Sequence, residues 1–327
     1  MDALGRRIDY LRVSVTDRCN LRCAYCLPEL FKGFSPLKDG LSDDELLTLL
    51  GHFLAVGFCK IRLTGGEPLV RPGIVELAAK ISALDGLKDL AMSTNGMLLA
   101  PAARALKDAG VRRVNISLDT LDPGRFKSVT RFGDLQTVLQ GVEAALSAGL
   151  NPVKINVVVA RGVNDDEIGD FVRLSRERNL HIRFIELMPM GETGFFSTAR
   201  WAPLDEMKSK AGPLVPAEGS SRPVGHGPAR YFRSPGGRGT VGFISALSDN
   251  FCDGCNRVRL SAKGVLVPCL DGENGVSLAG LLREGVAGEE MRRRIIECVF
   301  NKPARHHMLE RAAVESANPR TMCQIGG

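Results

Sequence analysis

From residue 10 to about 187 the chain alternates short runs rich in β-branched residues with longer stretches whose apolar residues recur every three or four positions. That is the pattern of consecutive strand–helix units. Six strands are predicted: YLRVSV (10–15), KIRLT (60–64), DLAMS (89–93), RRVNISL (112–118), VKINVVV (153–159) and HIRFIEL (181–187). Helices are predicted between them, among them SDDELLTLLGHFLAVG, where Ser42 and Glu45 have capping-box spacing, and PAARALKDAG, which stops at Gly110. Six units predict an α/β fold, an incomplete (βα)6 TIM-type barrel over residues 1–190, short of the eight units of a closed barrel.

Side chains alternate between the two faces of a strand, so each strand divides in two. One face collects Leu11, Val13, Val15, Ile61, Leu63, Leu90, Met92, Val114, Ile116, Val153, Ile155, Val157, Ile182 and Phe184, which suits packing against helices. The other collects Arg12, Ser14, Lys60, Arg62, Thr64, Ser93, Asn115, Ser117, Lys154, Asn156 and Arg183. A closed barrel fills its interior with branched apolar side chains, whereas this one encloses cations and hydroxyls. Burying an unpaired cation costs on the order of several kcal/mol. Such an interior is therefore wet or holds a polyanion; an open sheet with one solvated face is the alternative.

Residues 188–250 are punctuated by Gly and Pro (MPMGETG, AGPLVP, RPVGHGP, RSPGGRG) and read as linker, loops and short strands. A C-terminal region, 191–327, follows from this break.

Cysteine placement brings in the chemistry. VTDRCNLRCAYCLPE carries Cys19, Cys23 and Cys26 as CxxxCxxC directly after the first strand. Four thiolates would close a zinc site or fully ligate an iron–sulfur cluster; three leave one metal position open, as a catalytic metal requires. A zinc site completed by a distant ligand is the other use of such spacing. The turn LTGGEPLVR (63–71) follows the second strand; its paired glycines let backbone approach a ligand closely, and Glu67 adds an acceptor. In DNFCDGCNRVRLSAKGVLVPCL, Cys252 and Cys255 form a CxxC, and Cys269 follows thirteen intervening residues later. RVRLSAKGVLV predicts a hairpin turning at Lys263-Gly264 that returns Cys269 to the CxxC, with Arg257 and Arg259 on one face. Cys59, Cys298 and Cys323 have no partner spacing and read as free thiols. His306-His307 reads as surface.

The remaining composition narrows the context. The chain has 327 residues, 44% of them hydrophobic and 24% charged, enough for a barrel and an appendage. The opening MDALGRRIDYLRVSV has no apolar signal core, and no stretch approaches the roughly 18 apolar residues of a membrane span. A cytoplasmic location is expected, where the nine cysteines serve as metal ligands or free thiols more readily than as disulfides. The net charge of +6 is compatible with an anionic ligand, nucleic acid or merely a basic surface.

CxxxCxxC after a first barrel strand and GGEP after the second resemble the radical S-adenosylmethionine (SAM) superfamily. With GFISALSDNFCDGCNRVRLSAKGVLVPCL, STNG, NISLDT, VKINVVV, RFIELMPMG and the terminal IGG, the whole chain is similar to its GTP 3′,8-cyclase family. The resemblance implies two [4Fe–4S] clusters, one on Cys19, Cys23 and Cys26 and one on Cys252, Cys255 and Cys269. It implies SAM contacts at Tyr25, Gly66, Ser117 and Met188. GTP contacts are implied at Arg12, Arg62, Ser93, Lys154, Arg257, Val258 (through its backbone) and Arg259, with Lys60 and Arg183 adding charge and Gly326-Gly327 reaching into the site. The implied reaction is a lyase reaction of molybdenum cofactor biosynthesis: a 5′-deoxyadenosyl radical abstracts the ribose 3′ hydrogen of GTP, and the carbon radical closes onto guanine C8. The product is (8S)-3′,8-cyclo-7,8-dihydroguanosine 5′-triphosphate, with the first cysteine triplet, Arg257 and Arg259 as catalytic residues. Implied partners are cyclic pyranopterin monophosphate synthase downstream, an electron donor such as flavodoxin or ferredoxin, and a second copy of the chain in a homodimer, with neither nucleic acid nor membrane. Leu27, where methionine is frequent, and Ser93, where threonine is common, depart from the family pattern.

Overall fold

The computed structural model describes residues 1–31, 33–34, 40–191, 193–272, 275–313 and 320–326. The six expected strands form in order: β1 (Tyr10–Ser14), β2 (Lys60–Thr64), β3 (Asp89–Thr94), β4 (Arg113–Ser117), β5 (Val153–Val159) and β6 (His181–Glu186). Each pairs in parallel with the next. The helices between them are α1 (Asp43–Ala55), α2 (Ile74–Ser82), α3 (Leu99–Asp108), α4 (Pro123–Thr130), α5 (Leu135–Ser147) and α6 (Ile168–Glu177). Local chemistry sets their starts. Ser42 and Glu45 close the expected capping box on α1, and the carboxylates of Asp122 and Asp134 cap α4 and α5.

The apolar strand face packs beneath these helices, with Leu11, Val13, Ile61, Leu63, Val114 and Ile155 fully buried. Each such side chain contributes roughly 1.5–3 kcal/mol by leaving water. One core cluster runs through the sheet and its helices.

Residues 188–250 contain more regular structure than their glycines and prolines suggest: α7 (Leu204–Ala211), β7 (Val215–Pro216), β8 (Arg230–Arg233) and β9 (Thr240–Ile244). The hairpin turning at Gly264, whose φ is +72°, joins β10 (Arg257–Leu260) to β11 (Val265–Val267). Then come β12 (Val276–Ser277), α8 (Leu278–Arg283), α9 (Gly288–Phe300), α10 (Met308–Ala313) and α11 (Met322–Ile325).

Both C-terminal strand groups extend the N-terminal sheet, in the order β12-β11-β10-β1-β2-β3-β4-β5-β6-β9-β8-β7. On one edge β10 pairs in parallel with β1, and on the other β9 pairs in parallel with β6. The barrel is therefore left open between β9 and β10, the ends being finished by antiparallel strands. Residues of β1 to β6, β9 and β10 nevertheless line one common cavity, so the sheet curls around it. Among the described residues no helix is long and apolar enough to cross a membrane.

Candidate active site

The cavity has about 270 Å³ open to the centres of water molecules. At one end stand Cys19, Cys23 and Cys26, on the loop that leaves β1; deeper in stand Arg12, Arg62, Arg183, Arg257 and Arg259. The thiol loop is zipped to the turn after β2, because Gly66 N–H donates to the Thr16 carbonyl (2.8 Å) and Glu67 N–H to the Arg18 carbonyl (2.7 Å). A Cβ on Gly65 would lie 2.5 Å from the Thr16 oxygen, and one on Gly66 2.3 Å from the Arg18 oxygen. Two adjacent glycines are what this approach requires.

Glu67 is fully buried and accepts from Asn95 N–H (2.6 Å), the Thr94 hydroxyl (2.8 Å) and Leu69 N–H (3.0 Å). Burial pushes its carboxyl up to about 7 against those bonds. Tyr25 donates its O–H to Asp119 (2.7 Å), which also accepts from Val158 N–H (2.8 Å). Burial pushes the Asp119 carboxyl up to about 6. Gly66, Ser93, Ser117 and Met188 also line the cavity.

Burial pushes Cys19 up to about 11, and burial followed by Asp119 raises Cys23. The hydrogen bond that Cys26 donates to the Cys323 sulfur, then burial, raises Cys26. Cys323 is a free, buried thiol, as expected, but it does not stand apart from the site. The capping box of Thr321 and Gln324 starts α11 and swings Cys323 into the cavity beside Cys26, a proximity across 297 positions that spacing does not reveal.

The second triplet flanks the arginine end. Arg6 ties its loop down by donating to the carbonyls of Cys252 (2.9 Å), Pro303 (2.8 Å) and Ala304 (3.0 Å). Burial raises the Cys252 thiol, and the Cys269 and Cys255 sulfurs add to the rise. Cys255 is half-buried; desolvation raises its thiol too, yet Arg257 and Lys302 outweigh that and hold it below the usual value. The neighbours Phe251 and Leu270, not the cysteines themselves, face the cavity.

Sheet register builds the arginine cluster: Arg12 lies opposite both Arg62 and Arg259, and Tyr10 opposite Arg257. Arg62 donates to the Tyr10 hydroxyl and to the Ser93 hydroxyl (3.3 Å). Burial and neighbouring guanidinium groups depress Arg12, Arg183 and Arg259, the last to about 10. Val258 is fully buried between its two arginines. The Gly326 carbonyl accepts from Arg259 (2.7 Å) and Arg12 (3.2 Å), while Gly327 lies outside the described residues.

Lys60 and Lys154 stand apart from the cavity lining. Lys60 pairs with Asp9 (2.8 Å), and Lys154 donates to the Val224 carbonyl (2.6 Å). His306 bonds the Ala246 carbonyl (2.7 Å). Spacing did not single out Thr94, Asn95 or Asp119 as site residues, although they sit inside the STNG and NISLDT stretches and close the cavity wall.

Among the described residues no three His, Cys, Asp or Glu side chains converge tightly enough to hold a single metal ion. Three thiols on one wall of the cavity, without a common centre among the described residues, suit a multinuclear iron–sulfur group that spreads its irons and supplies their charge.

Residues 13–175 match the Radical SAM superfamily, and residues 180–308 match Molybdenum Cofactor Synthesis C. The chain is 48% identical over 332 residues to a GTP 3′,8-cyclase of Pelotomaculum thermopropionicum, with 100% of this chain and 99% of that protein covered. It is 47% identical over 328 residues to the GTP 3′,8-cyclases of Moorella thermoacetica and Heliobacterium modesticaldum, again over 100% of this chain and 99% and 100% of theirs.

Proposed function

Because the chain belongs to the GTP 3′,8-cyclase family of radical SAM enzymes, we propose that its cavity brings SAM and GTP face to face, thiol end against arginine end. The observation that carries this is one cavity lined by both a thiol triplet and buried arginines. When bound, the first cluster and SAM supply a 5′-deoxyadenosyl radical, and the GTP ribose is what it meets.

Cys19, Cys23 and Cys26 hold the first [4Fe–4S] cluster; Tyr25, Gly66, Ser117 and Met188 seat SAM. Asp119 fixes the Tyr25 hydroxyl and so the plane its ring offers to adenine. Cys252, Cys255 and Cys269 hold a second [4Fe–4S] cluster, with Phe251 and Leu270 presenting that loop to the cavity.

The cations Arg12, Arg62, Arg183 and Arg259 gather the triphosphate, joined by Arg257 and, from the rim, Lys60 and Lys154. Burial, and after it their mutual repulsion, depresses Arg12 and Arg259, and that repulsion is relieved by a polyanion and not by a neutral ligand. Ser93 and the Val258 backbone complete the nucleotide contacts, and the Gly326 carbonyl holds two of the arginines in place. Enclosure by the curled sheet keeps water from the reacting carbon.

In this reading residues 1–190 form the radical-generating unit and 191–327 complete the substrate site. The enzyme acts as a lyase in the cytoplasm, as a homodimer, with a flavodoxin or ferredoxin as electron source. Its cyclic nucleotide goes on to cyclic pyranopterin monophosphate synthase.

The test is mass spectrometry of anaerobically reconstituted, reduced enzyme given SAM with GTP and, in parallel, with ATP. GTP-dependent 5′-deoxyadenosine together with a cyclised nucleotide is expected. Deoxyadenosine without a cyclised nucleotide would mean another substrate.

A further inference from the structure

One buried cation beside the second triplet has no part in the nucleotide cavity. Lys302, which follows the end of α9, is 5% exposed. Its N–H donates to the Val299 carbonyl (3.1 Å), and its carbonyl accepts from Arg6 (3.2 Å), whose guanidinium also holds the Cys252 carbonyl (2.9 Å). The Lys302 ammonium donates to the carbonyl of Pro268 (2.5 Å), the residue before Cys269, and to the Cys255 sulfur. It thus reaches Cys255 directly and the backbone next to Cys269, on a chain segment that Arg6 fastens to Cys252.

Such a charge needs an anion. Among the described residues, lysine ion pairs are made by Lys60 and Lys210, and none by Lys302. Burying an unpaired ammonium costs on the order of several kcal/mol. The nucleotide does not answer it, because Lys302 is absent from the cavity wall that Arg257 and Arg259 share. What lies against the ammonium is cysteine sulfur. An iron–sulfur cluster held by three thiolates is anionic and becomes more so on reduction; its potential is set in part by charge and by hydrogen bonds to its sulfurs. Lys302 supplies both. A lysine that only tied the chain after α9 to Pro268 would need a donor and no charge.

We propose that Lys302 is the counter-ion of the second iron–sulfur cluster: its ammonium, held against the Cys255 sulfur, favours the reduced cluster and raises its reduction potential. Lys302 acts through the ligand and touches no substrate. The inference rests on the reading of Cys252, Cys255 and Cys269 as cluster ligands.

The experiment is an anaerobic redox titration of reconstituted full-length enzyme, followed by electron paramagnetic resonance, with Cys19, Cys23 and Cys26 replaced by alanine to silence the first cluster. In this parent protein Lys302→Gln, which keeps a donor and loses the charge, is expected to lower the ratio of reduced to oxidised second cluster by about tenfold at fixed potential. That is the effect of one charge-assisted hydrogen bond and equals about 59 mV for one electron. Lys302→Arg, which keeps the charge, is expected to restore the parent midpoint. A Lys302→Gln protein that retains its iron and titrates like the parent would overturn the inference and leave Lys302 a structural tie. A second measurement leaves Lys302 in place: parent protein labelled with ¹⁵N-lysine is expected to show a ¹⁵N coupling at the reduced second cluster in pulsed paramagnetic resonance. Absence of that coupling would overturn the inference even where Lys302→Gln fails to take up iron. A parent protein that binds no iron at all would overturn instead the reading of Cys252, Cys255 and Cys269 beneath it.

Discussion

Lys154 shows how one residue's environment becomes a measurable property. Burial, followed by Arg183, Arg62 and Arg113, holds its ammonium down to about 6 in the free protein. A neighbouring triphosphate favours the charged form and raises that value. With the triphosphate seated as proposed, the amine is expected to be largely neutral before GTP binds at about pH 8 and to gain protonation on binding. Binding takes up a proton, and affinity weakens as the pH climbs from about 6 toward the bound value. Titration calorimetry in buffers of differing ionisation heat measures the uptake; heats independent of buffer would contradict it. At the same scale, Cys323 touches Cys26, yet the function proposed above would keep one iron of the first cluster open for SAM. Cys323→Ser is expected to keep its iron and the electron paramagnetic resonance signal of the reduced first cluster. A loss of about four irons per chain would make Cys323 a ligand.

At the scale of elements, the thiol loop and the glycine turn after β2 act as one piece, zipped by two backbone hydrogen bonds. The obstacle to a side chain at Gly66 is backbone, the Arg18 carbonyl 2.3 Å from any Cβ and the Asp17 carbonyl 2.6 Å away, and backbone does not rotate aside. Gly66→Ala is expected to displace the loop, to lower iron bound at the first triplet and to abolish SAM cleavage, with the second cluster retained. Separate iron determination in the Cys252→Ala background reads out the first site; full occupancy there would refute the coupling of turn and loop. The motif's residues were legible in the sequence because turn and loop each follow a strand. Their mutual docking was not, since nothing in GGEP says which carbonyl it will face.

At the scale of the molecule, the arginine cluster is assembled from distant parts of the chain: Arg12 and Arg62 from the first strands, Arg259 from β10, and the Gly326 carbonyl between two of them. Removal of residues 326 and 327 takes away an acceptor that two repelling guanidinium groups share. Cyclisation is expected to fall by at least about tenfold, the effect of one charge-assisted hydrogen bond, while cluster content stays unchanged. Mass spectrometry of product against iron analysis checks both, and undiminished cyclisation would remove the tail from the site.

The sequence by itself determined the six strand–helix units, the polar and apolar faces of each strand, the two thiol triplets and the hairpin at Gly264, because each is a periodicity or spacing within a short window of chain. Alternation two residues at a time already implied that Arg12, Arg62 and Arg183 share a face. Only the tertiary structure decided that β9 and β10 extend opposite edges of one sheet, that Arg6 fastens a loop 246 positions away, that Cys323 meets Cys26, and that Lys60 and Lys154 stand back from the cavity with partners of their own. Those outcomes depend on which distant segments pair, and pairing is chosen by burial and hydrogen bonding summed over the whole fold, which no local pattern encodes.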